Sequence, residues 1–231
     1  MAQVITLLMI GNSRLHWAEL QAEKILKTWH TDHGELPKSG LDALYVASVV
    51  PTQTDLIRQT LPQAQIITLA DIPLKNLYPT LGVDRALALY GAGESCGYPC
   101  LVIDGGTALT FSGVDGDRQL IGGAILPGLG LQFRMLAQNT AALPKVHLPD
   151  SLPPRWAMDT QGAIASGILR TVLAGVIDFI QAWQQQFPTG AIAITGGDGA
   201  WLYQQLSQQN YPGIQYVPDL IFLALQKVIE K

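Results

Sequence analysis

The sequence predicts a duplicated α/β fold: two similar halves, each a small antiparallel meander followed by helices and further strands. Three observations predict it. The stretches "LLMIGNSRLHW" (7–17) and "LVIDGGTALTF" (101–111) share one shape: apolar strand, small-residue turn, second strand. The alternation of strand and helix signals restarts near residue 101, which places the halves at 1–100 and 101–231. Glycine-rich turns follow strand signals, and interleaved strands and helices are the mark of an α/β architecture.

Taken in order, short apolar or alternating runs predict strands at 4–10, 15–20, 23–29, 43–49 and 64–69. A helix is expected over 52–61, between Pro51 and Pro62. "VDRALALYGAG" opens a second helix with Asp84 near its start. In the second half the strands are expected at 101–104, 108–114 and 119–125, followed by a helix over 127–143. Pro144, Pro149, Pro153 and Pro154 make the next stretch a loop. A long helix over 160–186 carries Ile164, Ile168, Val172, Val176 and Ile180, one apolar residue every four. A strand at 191–195 and helices at 200–209 and 219–230 complete the chain.

Composition narrows the function. Hydrophobic residues make up 48% and charged residues only 14%, so much surface is buried. The net charge is −4 and no basic cluster occurs, which argues against nucleic acid. No uninterrupted apolar run approaches the ~20 residues of a membrane span, and the N-terminal "VITLLMI" lacks the flanks of a signal peptide. Cys96 and Cys100 have no neighbouring histidine to complete a zinc site and read as free thiols in a reducing, cytoplasmic setting. His30 and His33, in "WHTDHGE", read as surface-loop residues.

Glycine is 23 of 231 residues, and the excess falls in "DGGT" (104–107), "IGGAILPGLG" (121–130) and "TGGDG" (195–199). Such turns bring backbone N–H groups close to a ligand and form concavities for phosphate. No Walker A loop and no complete G-x-G-x-x-G occurs. A nucleotide held in a cleft between two similar halves is the physical reading.

These motifs together resemble the type III pantothenate kinases, of the acetate and sugar kinase/actin/heat-shock chaperone superfamily. "IGNSRLHWA" resembles the family's D-x-G-N-[ST] motif, "LGVDRALAL" its G-x-D-R motif, and "VIDGGTALTFSGV" its D-x-G-T-A-x-T motif. "LIGGAILPGL", "DTQGAIASGI" and "AITGGDG" resemble three further segments, in family order. The resemblance implies a duplicated actin-like (ribonuclease H-like) fold and a homodimer. It implies transfer of the ATP γ-phosphate to pantothenate, with Mg2+ or a similar divalent cation and K+ or NH4+.

By the same resemblance, Asp84 is the proton acceptor, a role chemistry supports because an alcohol needs a base within hydrogen-bond reach. Tyr78, Gly82, Val83, Asp84, Arg85 and Thr160 would bind pantothenate, with Arg85 suited to its carboxylate. Met9, Ile10, Gly11, Asn12, Ser13, Arg14, Leu15, His16 and Thr107 would bind ATP, and Asp104 the monovalent cation. Taken alone, Asp84 and Thr160 could be helix caps, Arg85 a solvated first-turn residue, and Asp198 a cap for the helix after it. Aligning Gly11 with Gly106 sets Met9 opposite Asp104, where the family usually has an acid. A thioether is a poor magnesium ligand, so metal contacts there would pass to water and phosphate oxygens. Two other readings stay open: a kinase of another small alcohol, and a degenerate nucleotide-binding regulatory or interaction protein.

Overall fold

The computed structural model describes residues 3–34, 43–209, 211 and 213–230. It divides into two compact units: Met1–Ser95 with Arg118–Leu120 and Asp219–Lys231, and Cys96–Asp117 with Ile121–Pro218. The last helix therefore belongs to the first unit, although it comes last in the chain.

In the first unit, β1 (Ile5–Ile10), β2 (Leu15–Gln21) and β3 (Lys24–Thr31) form an antiparallel meander. β4 (Leu44–Ser48) and β5 (Gln65–Ile67) add parallel strands, giving the order β3-β2-β1-β4-β5. The helix α1 (Pro51–Thr60) connects β4 to β5, with Pro51 at its start, where a missing N–H is harmless. Side chains alternate along a strand. Leu8 and Ile10 of β1 thus join Ile57 of α1 and Leu61 in one buried cluster, while Leu7 and Met9 project to the opposite face. The helix α2 (Val83–Cys96) packs so closely on the last helix that a Cβ at Gly91 would overlap the Leu220 carbonyl oxygen.

The second unit repeats the plan. β6 (Cys100–Gly105), β7 (Ala108–Val114) and β8 (Leu120–Pro127) precede α3 (Leu129–Asn139) and α4 (Thr160–Gln186). β9 (Ala191–Thr195), α5 (Gly199–Gln208) and β10 (Ile214–Tyr216) follow, and α6 (Leu220–Ile229) ends the chain. Its sheet order, β10-β9-β6-β7-β8, is the first sheet's order strand for strand. The predicted stripe Ile164, Ile168, Val172, Val176 and Ile180 is buried against Ile103, Phe111 and Ile194. By length and mean hydropathy α4 could cross a membrane, yet half of its most apolar stretch is buried, so it is the core helix of this unit.

Differences from expectation have local causes. β10 carried no signal: three residues between prolines or glycine offer no periodicity. α3 ends at Asn139, not 143, because the sequence loses its apolar spacing at Thr140. His30 lies on β3 opposite His16, not in a loop.

Candidate functional site

The base candidate sits where a turn meets a helix. Leu81 N–H donates to the Tyr78 carbonyl oxygen (2.9 Å), and α2 starts two residues later. The first N–H groups of a helix lack internal partners, and its dipole favours an anion there. Asp84, the second residue of α2, meets both demands: its Oδ1 accepts from the Arg85 N–H (2.8 Å). The carboxylate folds back so tightly that a Cβ at Gly82 would overlap Oδ1. Burial pushes the Asp84 carboxyl above its ordinary value, while the Arg85 amide and the Arg85 charge pull it partly back.

Arg85 is buried, only 8% exposed, rather than solvated. Its Nη1 donates to the Tyr78 hydroxyl oxygen (2.9 Å), and Tyr78 is 40% exposed. The tyrosine therefore presents an outer surface backed by a buried cation. A groove of about 470 Å³ opens beside this turn, with Val49, Thr54, Arg58, Thr80, Gly82 and Val83 among its walls. Its walls carry hydroxyls, apolar side chains and the Arg58–Asp55 ion pair (3.2 Å).

The predicted phosphate turn between β1 and β2 splits in two. Met9, Ile10 and Leu15 are core residues. Only Asn12, Ser13 and Arg14 are exposed, with Gly11 and His16 half-buried. Gly11 N–H closes the turn on the Arg14 carbonyl oxygen (3.0 Å). His33 Nε2 lies 2.9 Å from the Gly11 carbonyl oxygen. A carbonyl only accepts, so Nε2 carries the hydrogen. His16, in edge contact with His30 at 4.7 Å, has its pKa lowered to about 4 by burial, then by His30 and Arg14. Nothing in the local pattern marks His33, 22 residues away, as a partner of this turn.

In the second unit the three glycine turns converge. Asp104, fifth residue of the central strand β6 as Met9 is of β1, lies against Gly196: a Cβ there would overlap Asp104 Oδ1. Gly196 has φ +88°, a backbone that favours glycine. Gly128 N–H donates to the Thr107 carbonyl oxygen (3.0 Å), and a Cβ at Gly128 would overlap the Gly106 carbonyl oxygen. Asp198 N–H donates to the Gly105 carbonyl oxygen (2.7 Å). Asp198 was read as a cap for its own helix, but its side chain accepts no N–H of α5. Burial pushes the Asp198 carboxyl above its ordinary value, while the Gly130 amide and the Arg134 charge pull it partly back. Thr107 is exposed at the turn's tip. Thr160, also exposed, opens α4 but does not cap it; Asp159 does, accepting from the Gly162 N–H (2.8 Å).

Two sheets of one topology, with phosphate-type turns at the ends of their central strands, define an actin-like fold of the acetate and sugar kinase/actin/heat-shock chaperone superfamily. Solved structures agree on the fold. A conserved Baf family protein from Campylobacter jejuni superposes with TM-score 0.74 at 19% identity, covering 98% of each chain. The activator of the 2-hydroxyisocaproyl-CoA dehydratase from Clostridium difficile, solved with ADPNP, superposes with TM-score 0.52 at 10% identity, covering 98% of this chain and 92% of that one.

The family profile described as type III pantothenate kinase matches residues 6–182. A type III pantothenate kinase from Synechocystis is 49% identical over 96% of this chain and 88% of its own length. One from Nostoc is 45% identical over 95% of this chain and 92% of its own. The chain belongs to the type III pantothenate kinase family. Its activity is the ATP-dependent phosphorylation of pantothenate for coenzyme A biosynthesis.

Proposed function

We propose that Asp84 is the general base of this phosphoryl transfer, accepting the proton of the primary hydroxyl of pantothenate as it attacks the γ-phosphorus. The observation that carries the reading is the folded-back carboxylate of Asp84, fixed over Gly82 beside an open groove. A carboxylate whose pKa burial pushes upward is a better match to an alcohol than an ordinary one. Tyr78, Gly82, Val83 and Arg85 bind pantothenate beside it, with Tyr78 as the outer contact and Arg85 fixing its hydroxyl. Thr160, the first residue of α4, keeps the substrate role that the family resemblance gives it.

The ATP phosphates are assigned to backbone and side-chain donors of Asn12 and Ser13 in the turn that Gly11 closes, with Arg14 beside them, and to Thr107. Met9, Ile10 and Leu15 support this turn from the core. Among the described residues no group of three or more His, Cys, Asp or Glu could cage a metal. That donor set fits magnesium held mainly by phosphate and water oxygens, as this ion commonly is. The Asp104 carboxylate, with the carbonyl-rich 105–107 turn, fits a hard monovalent cation such as potassium or ammonium. Bound there, the cations would offset phosphate charge. A cytoplasmic homodimer completes the reading.

The test is ADP release from magnesium-ATP. The rate should require pantothenate and should rise with potassium in wild type but not in Asp104→Asn. A rate indifferent to potassium and ammonium would remove the role of Asp104. Release indifferent to pantothenate would overturn the whole assignment.

A further inference from the structure

The turn that carries Tyr78 has little core of its own. Leu74 and Leu81, at its two ends, are buried, but none of residues 75–80 between them is. Segments with so few buried apolar contacts open most easily. Yet this one holds the Tyr78 hydroxyl against the Arg85 guanidinium and sets Pro79 and Thr80 in the wall of the groove.

Its partner is a distant stretch of chain at the start of β8. Lys75 N–H donates to the Arg118 carbonyl oxygen (2.8 Å), and Leu120 N–H donates to the Lys75 carbonyl oxygen (3.0 Å). The two bonds make an isolated parallel bridge between Lys75 and Gln119. Asn76 Nδ2 adds a side-chain bond to Gln119 Oε1 (2.9 Å), across 43 residues of chain. Asn76 has φ +57°, a left-handed backbone that asparagine tolerates better than most residues. The bond therefore pins the residue at which the chain turns towards Tyr78, two positions on. Arg118 Nη2 also pairs with Glu94 Oε1 (3.0 Å) on α2, the helix whose first turn holds Asp84. Arg118 and Gln119 thus tie down both the entry to the substrate turn and the helix at its exit, all within the first unit.

We propose that Gln119 is a positioning residue for pantothenate: through its bond to Asn76 it holds the turn in the shape that presents Tyr78 to the substrate. The inference rests on the assignment of Tyr78 to pantothenate. It goes beyond that assignment in naming a residue remote in sequence that acts through the turn.

Gln119→Met and Gln119→Glu separate this from a merely structural role. Methionine keeps the length and loses the acceptor, whereas glutamate keeps an acceptor oxygen. Both lack the amide N–H, so the difference between them reads the acceptor. The negative charge of glutamate would repel the pantothenate carboxylate, so recovery cannot come from charge. Gln119 is half-buried and the backbone bridge at Lys75 does not depend on its side chain, so both variants should fold. In Gln119→Met the KM for pantothenate should rise roughly threefold to tenfold, as loss of one hydrogen bond predicts. In Gln119→Glu it should return to within about twofold of wild type, and KM for ATP should stay within about twofold in both. In a Tyr78→Ala background Gln119→Met should add less than about twofold, because both changes remove one contact. Three results would each overturn the inference where Tyr78→Ala itself raises the pantothenate KM. These are an unchanged pantothenate KM in Gln119→Met, an equal rise in its KM for ATP, and a glutamate variant no better than methionine. Full additivity with Tyr78→Ala would do the same. A normal pantothenate KM in Tyr78→Ala would instead strike the assignment of Tyr78, and the inference with it.

Discussion

Gly82→Ala isolates the placement of the base from the stability of the fold. The added methyl would overlap Asp84 Oδ1, while its other neighbour, Val49 Cγ1, would sit in ordinary contact at 3.7 Å. Restoring a normal contact requires the carboxylate to move by about 1 Å, given carbon contact distances near 3.5 Å. Displacement of a reacting group by that amount can cost about 100-fold in rate, or about 2.7 kcal/mol of transition-state stabilisation. Stability should change little. The Oδ1 bond to the Arg85 amide weakens, a loss of about 1 kcal/mol. Replacing glycine restricts the unfolded chain, a gain of roughly 0.4–1 kcal/mol. Steady-state ADP release with pantothenate and a thermal melt on the same sample test this. The expectation is kcat reduced by about two decades with Tm within a few degrees of wild type. Gly116→Ala, with no atom within 4 Å of the new Cβ, should leave both unchanged. A Gly82→Ala enzyme with kcat within threefold of wild type would refute the reasoning.

Three further predictions follow from titration and from the turn. Asp84 binds its proton more tightly in the folded protein than in the unfolded chain, so its ionisation opposes folding once the pH exceeds the unfolded value of 3.8. Asp84→Asn should therefore match or exceed the wild-type Tm at pH 7, with the difference fading as the pH falls towards 3.8; a lower Tm at pH 7 would contradict the burial argument. His16 behaves oppositely: with its pKa depressed from 6.5 to about 4, it stabilises the fold fully above 6.5, and that contribution is lost as the pH falls towards 4. The urea midpoint of His16→Gln should thus vary less with pH across this window, and an unchanged slope would count against it. His33→Leu removes the donor to Gly11 and should raise KM for ATP severalfold at unchanged kcat, whereas His33→Gln keeps an N–H and should recover most of it. Equal KM values in all three proteins would detach His33 from the phosphate turn.

The parts of the fold set by local pattern were readable in the chain. The duplicated meander announced itself through two apolar strands around small-residue turns, and α4 through its four-residue stripe, because burial of one face imposes those periods. β10 was not readable, since three residues paired with β9 owe their strand geometry to a neighbour distant in sequence. The membership of α6 in the first unit is likewise a tertiary fact. The glycine turns and Asp84 were legible as residue types at particular places. Their mutual geometry was not: that Gly82 makes room for the Asp84 carboxylate, that Arg85 is buried behind Tyr78, and that Gly196 makes room for the Asp104 carboxylate all depend on how the turns fold. Met9 reads similarly. Its place in the β1 turn suggested a lost metal ligand, while its 3% exposure makes it a core side chain.

The central claim, that Asp84 accepts the proton in a site whose ATP-binding turns are built from other residues, is tested most directly by kcat of Asp84→Asn measured together with its affinity for a non-hydrolysable ATP analogue. The predicted result is a fall in kcat of roughly 100- to 10,000-fold, the range expected for loss of a general base, at unchanged analogue affinity. A kcat within threefold of wild type would contradict it.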